Sequence, residues 1–129
     1  CLLKIKGIDD LSKWWIIDWK SNLIGNQDDN KSIPKNYNYE NLKLEMVKNH
    51  YPLQSHLYLL AVHRLLKWRI KNYNPQEHLG GYIYIFIRGL PRLNLDNKLI
   101  NNNSPLGIFS SEAPLERILY LDKLFNNEI

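Results

Sequence analysis

The chain has 129 residues, is 44% hydrophobic and 12% aromatic, and carries a net charge of +4. That length suffices for one domain with a core, and the mild basicity permits a polyanionic partner without requiring one. The single cysteine, Cys1, excludes an internal disulfide and a thiolate cluster for zinc or an iron–sulfur centre.

No apolar run reaches the length of a membrane span and no segment reads as a signal peptide, so the expected location is the cytoplasm, with no membrane partner. The chain begins with Cys rather than Met and is expected to be a piece of something longer.

Leu2 to Ile5 reads as a short strand, and Lys6 to Ser12 carries turn chemistry. Trp14 to Asp18 is a second, apolar strand, so residues 1–19 are expected to form a β-hairpin. Asn22 to Lys35 is polar and reads as a loop. Tyr37 to Asn49 places Leu42, Met46 and Val47 at helical spacing. Pro52 suits the first turn of a second helix over Leu53 to Lys71, with an apolar stripe of Leu53, Leu57, Leu60, Ala61, Leu65 and Trp68. Asn72 to Pro75 stops it.

Tyr82 to Ile87, after Gly80-Gly81, is apolar on both faces and is expected to be a central strand. Arg88-Gly89 closes it, and 90–105 reads as a loop. Gly107 to Ser110 is expected to be an edge strand. Pro114 to Phe125 is a final amphipathic helix, apolar at Leu115, Ile118, Leu119 and Leu121. The expected fold is α/β, a mixed β-sheet flanked by α-helices, in a single domain.

Chemistry concentrates in Ile16-Ile17-Asp18-Trp19-Lys20-Ser21-Asn22. An acid and a base two residues apart leave a strand on the same face. A carboxylate able to hold a cation, beside an ammonium able to steady a phosphate or a water, suits metal-assisted phosphodiester hydrolysis. A surface ion pair at a strand end is the alternative. If the hairpin turns near Asp9, facing residue numbers sum to about 18, and Asp18 faces the position just before Cys1. A first-strand ligand partnering Asp18 is expected there. Asp9 and Asp10 fall in the turn, about 26 Å along the strand from Asp18, too far to share its metal.

Gln54 and Tyr58 share a helix face. They point either at a strand end, toward phosphate or base, or into the core with the phenol at its rim. His50, His56, His63 and His78 make no metal-spaced set. Arg64, Lys67, Arg69 and Lys71 form a basic helix end, which suits either the helix dipole or a backbone-tracking patch. Arg88 either reaches phosphate or caps the sheet.

These residues together resemble a known family. Ile17-Asp18-Trp19-Lys20-Ser21-Asn22 is similar to the Asp-Tyr-Lys-Ser-Asn segment of the RecB-type nuclease domain. That is the C-terminal domain of the exodeoxyribonuclease V beta subunit, in the restriction-endonuclease-like PD-(D/E)xK class. The similarity continues in order through Met46, Tyr51, Leu53-Gln54, Leu57-Tyr58 and Ala61-Val62-His63-Arg64. Beyond those it takes in Arg69, Tyr73, His78-Leu79-Gly80-Gly81, Tyr84-Ile85-Phe86-Ile87-Arg88-Gly89 and Gly107-Ile108-Phe109.

The resemblance implies a restriction-endonuclease-like fold and a Mg2+-dependent exodeoxyribonuclease acting in double-strand break repair and recombination. Asp18 would be a ligand of the catalytic magnesium and the main-chain carbonyl of Trp19 another. Lys20 would be the catalytic lysine. Gln54 and Tyr58 would be the accessory Gln-x-x-x-Tyr residues on the DNA side of the site. The implied partners are unwound single-stranded DNA, the other subunits of a heterotrimeric helicase–nuclease, and a recombinase.

The family's first-strand acid, in a Gly-x-Ile-Asp segment, and its upstream His have no match. Gly7-Ile8-Asp9 imitates the former in the turn. The expectation is a domain truncated within its site and inactive alone, the alternative being a catalytically incomplete DNA-binding or recombinase-docking module.

Overall fold

The computed structural model describes residues 1–8, 10–25, 34–90 and 105–127. Asp9, positions 26–33 of the first expected loop and positions 91–104 of the second lie outside the described residues. The elements run β1 (Leu2–Lys6), β2 (Ser12–Lys20), α1 (Tyr39–Lys48), α2 (Tyr51–Arg69), α3 (Pro75–His78), β3 (Leu79–Phe86), β4 (Ile108–Glu112) and α4 (Leu115–Phe125), with 3-10 turns at Pro34–Tyr37 and Ile87–Gly89.

The strands form one sheet in the order β1-β2-β3-β4, a mixed sheet with flanking helices, as expected for an α/β fold. The aromatic and β-branched run Trp14-Trp15-Ile16-Ile17 favours the extended form of β2. β1 and β2 pair antiparallel from Leu2↔Ile16 to Lys6↔Ser12, the register expected from the turn position. Beyond that, Cys1 and Ile17 exchange both backbone bonds, at 2.8 and 2.7 Å. Gly7 N–H donates to the Leu11 carbonyl at 2.7 Å, and Asp10 closes the turn at φ 62°. β3 and β4 share hydrogen bonds from Phe86 N–H to the Gly107 carbonyl and from Ala113 N–H to the Gly80 carbonyl. The equal residue-number sums of these pairs mark an antiparallel ladder.

The helix breaks have local causes. His50, at φ 55°, and Asn72, at φ 62°, take the left-handed conformation after α1 and α2, which Asn, Asp and His tolerate better than most residues. Asn38 caps α1 by accepting from Asn41 N–H, and Asn74 caps α3 by accepting from Gln76 N–H.

The chain divides into two compact units, Cys1–Ile17 with Pro52–Ile83 and Ser110–Ile129, and Asp18–Tyr51 with Tyr84–Phe109. Ile16, Leu59, Leu60, Leu66, Leu79, Tyr82 and Ile118 are buried in the first. Tyr37, Leu42, Met46, Tyr84, Phe86 and Phe109 are buried in the second.

Several sequence expectations are corrected. β2 runs from Ser12 to Lys20 rather than from Trp14 to Asp18, so Lys20 as well as Asp18 lies within the strand. β3 begins at Leu79, taking in Gly80-Gly81, and Ile87 falls in the 3-10 turn after it. Val47 and Leu119 are exposed. Of the expected α2 stripe only Leu60 is buried; Leu53, Leu57, Ala61, Leu65 and Trp68 face solvent. The buried face is Ser55, Leu59, Leu60, His63 and Leu66. Leucine occurs on several sides of α2, so apolar spacing fits more than one face. The polar members of the buried face are both satisfied, Ser55 by the Pro52 carbonyl within the helix and His63 by Tyr73.

Candidate functional site

In the second unit, the pleat of β2 puts Asp18 and Lys20 on one face. Lys20 Nζ lies 2.9 Å from Asp18 Oδ2, with the side chains 13% and 27% exposed. A pair this withdrawn from water is distinct from a solvated surface ion pair, which two long side chains hold loosely.

Two tyrosines shape the space around the ammonium. Lys20 Nζ sits 4.0 Å from the centre of the Tyr51 ring and 5.1 Å from that of Tyr84, both within the range of attraction between a cation and an aromatic face. The two rings stack, centroids 5.5 Å apart and 12° from parallel. Hydrogen bonds fix them. Tyr84 hydroxyl donates to the Tyr51 carbonyl at 3.3 Å, and Tyr51 hydroxyl donates to Asn22 Oδ1 at 3.1 Å. Asn22 Nδ2 donates to Glu45 Oε1 at 2.8 Å.

The chain after Lys20 is pinned at two further points. Tyr37 hydroxyl donates to the Asn22 carbonyl at 2.9 Å and accepts from Ile24 N–H at 3.2 Å. Arg88 Nε donates to the Ser21 carbonyl at 2.8 Å. Arg88 thus ties the turn after β3 to the segment leaving β2.

Of the expected site residues, Asp18, Trp19, Lys20 and Arg88 fall in this unit, and Trp19 turns its indole outward, 59% exposed. Gln54 and Tyr58 belong to the other unit, one turn apart on α2. Tyr58 is 44% exposed, which corrects the reading of it as a core aromatic. Among the described residues no group of three or more His, Cys, Asp or Glu could hold a metal ion. Magnesium takes near-octahedral oxygen ligation. Asp18, one carboxylate already bonded to Lys20, does not by itself complete such a site.

The first unit contains a separate buried polar centre. Asp122 on α4 accepts from Arg64 Nε at 2.7 Å, with His63 Nε2 and Lys67 Nζ each 3.6 Å from its other oxygen. Burial disfavours the Asp122 carboxylate, but the Arg64 hydrogen bond and the charges of His63, Lys67 and Arg64 outweigh it and hold the pKa below its ordinary value. His63 Nδ1 lies 3.0 Å from Tyr73 hydroxyl. Burial lowers the His63 pKa despite the opposing pull of Asp122, and burial pushes the Tyr73 phenol up to about 12. Near neutral pH this leaves a neutral phenol and a neutral imidazole beside a charged carboxylate.

Sequence reading missed Tyr51, Tyr84, Glu45 and Asp122 as members of polar centres. Tyr84 had a legible signal, since it alternates with Tyr82 and Phe86 on one face of β3. Asp122 had one too, falling one turn after the buried Ile118. Glu45 had none, because its partner Asn22 lies 23 residues away.

No protein-family model matches the chain. It is similar to the RecBCD enzyme subunit RecB of Mycolicibacterium smegmatis, 34% identical over 116 residues, covering 90% of this chain and 10% of that protein. The RecB subunit of Escherichia coli is 30% identical over 126 residues, 94% of this chain and 9% of that protein. That of Buchnera aphidicola subsp. Schizaphis graminum is 40% identical over 91 residues, 67% of this chain and 7% of its own length. The chain spans about a tenth of the length of the first of these relatives. It is thus a relative of the RecB subunit of the RecBCD enzyme, matched over a short stretch of that subunit.

Proposed function

We propose that this chain is the nuclease domain of a RecBCD-type helicase–nuclease, hydrolysing DNA phosphodiesters with Mg2+ during double-strand break repair and recombination. The observation that carries the reading is the withdrawn Asp18–Lys20 pair at 2.9 Å in a chain related to RecB subunits. Its partners would be unwound single-stranded DNA and the other subunits of the complex.

Asp18 and the Trp19 carbonyl are the two oxygen donors this segment would offer the metal, beside water and phosphate oxygens of the substrate. Bound magnesium would supply Lewis-acid activation of the phosphate and of water. The Lys20 ammonium, held on its tyrosine faces, is placed to orient the attacking water and to offset negative charge developing on the phosphate. Gln54 and Tyr58, on an accessible face of α2, would contact the nucleic acid.

A second reading, a catalytically silent DNA-binding or recombinase-docking module, is favoured by the engagement of Asp18 Oδ2 with Lys20. The two are separated by assaying the domain, with whatever its reading frame encodes before Cys1, on single-stranded DNA in magnesium. Cleavage that falls at least about 100-fold in Asp18→Ala and in Lys20→Ala supports the nuclease. Salt-sensitive DNA binding with no cleavage supports the module.

A further inference from the structure

Among the partners of the Lys20 ammonium are a carboxylate that any metal-binding role must share and an aromatic wall that it need not. We infer that Tyr51 is the positioning residue for Lys20, its ring face fixing where the ammonium sits while Asp18 is engaged elsewhere. The inference rests on the nuclease reading for its catalytic consequence, but not for its geometry.

Tyr51 is the nearer of the two rings, 4.0 Å against 5.1 Å. It is also the better anchored. Its ring stacks on Tyr84, and its own hydroxyl reaches Asn22 Oδ1. Asn22 is in turn held by Glu45. The ring therefore cannot swing away without breaking its hydrogen bond to Asn22 and its stacking on Tyr84. A lysine has a long flexible stem and a compact charge, so something must choose one position for it. If Asp18 turned toward a metal, the carboxylate hold on Lys20 would weaken and the aromatic face would remain. This hold is electrostatic, through the ring quadrupole, so phenylalanine should replace tyrosine and an aliphatic side chain should not.

Two measurements test this on Tyr51→Phe, Tyr51→Leu and Tyr51→Met, the last in case the branched side chain does not pack, with folding checked by circular dichroism. The first is the rate at which an amine-reactive reagent labels each lysine, read by mass spectrometry, which needs no activity. Loss of the ring should speed labelling of Lys20 by about 3- to 30-fold and leave the other lysines unchanged, with the Phe variant like wild type. Wild-type labelling of Lys20 in the folded aliphatic variants would overturn the inference. So would a Phe variant as altered as the aliphatic ones, since that would assign the role to the hydroxyl.

The second is a double-mutant cycle in DNA cleavage. Tyr51→Leu should lower kcat by about 3- to 30-fold with KM unchanged, and should have no further effect in a Lys20→Ala background. An undiminished further loss there would show that Tyr51 acts independently of Lys20 and overturn its positioning role. Absence of cleavage in the wild-type chain would count against the nuclease reading alone, with labelling still deciding the placement of Lys20.

Discussion

Gly80 and Gly81 stand where β3 passes under the Trp15 ring. A Cβ on Gly80 would fall onto the Trp15 indole, and one on Gly81 onto the Ser111 carbonyl and 2.8 Å from Glu112 Cα. The clash at Gly81 is with neighbouring backbone, which cannot rotate away as a side chain can. Gly81→Ala should therefore destabilise the chain by about 3 kcal/mol or more, measured by urea unfolding. A loss under about 1 kcal/mol would show that β4 can shift to make room. At this scale the sequence was readable where a residue type has one use. Asp18 and Lys20 were legible from two-residue alternation alone, and Asp10 from turn chemistry. Tyr51 was not, because a tyrosine at a helix start has many uses and its link to Lys20 appears only when distant segments meet.

Among elements, α4 is held to α2 through one acid. Asp122 meets Arg64, His63 and Lys67, and His63 also meets Tyr73. The ordinary His pKa is 6.5 and the folded value is lower, chiefly through burial. The unfolded chain thus binds this proton more readily than the folded one. The stability His63 contributes is complete above about pH 6.5 and is lost as pH falls toward its folded value. The slope for one proton is no steeper than about 1.4 kcal/mol per pH unit. Asp122, held below its ordinary 3.8, contributes stability above that value which is lost at lower pH, through its folded pKa. Urea midpoints should therefore decline as pH falls below about 6.5, and His63→Gln should flatten that decline. An equal decline in the variant would place the titration elsewhere.

Helix positions were well anticipated here, since Asn caps, Pro52 and left-handed breakers mark their ends. Helix faces were not. α2 has leucine on several sides, and the side it buries carries the polar Ser55 and His63, which apolar periodicity does not register.

At the scale of the whole molecule, the charge of +4 is distributed rather than general. On α2, Arg64 and Lys67 face Asp122 and Arg69 lies over the Trp68 ring at 4.4 Å, while Lys71, past the end of the helix, is exposed. If single-stranded DNA is the substrate, affinity should fall with salt. Arg69→Ala with Lys71→Ala should then reduce the slope of log affinity against log salt by about 1.4, read by fluorescence anisotropy. An unchanged slope would return this basic end to its helix-dipole role. The fold class was legible because strand-like and helix-like segments follow one another as a hairpin, helices, two strands and a final helix. The composition of the ammonium cradle was not, because it is a product of closure.

That cradle joins pieces 29, 33 and 67 residues apart in the chain, through Tyr51 with Asn22, Tyr84 with Tyr51, and Arg88 with Ser21. Contacts at such separations form late, once loop entropy has been overcome. A ribosome that has released only the segment from Asp18 to Asn22 has released the reactive groups but none of their setting. The ammonium gains its fixed place only when β3 is laid down, so a half-made chain carries the letters of the motif without its chemistry.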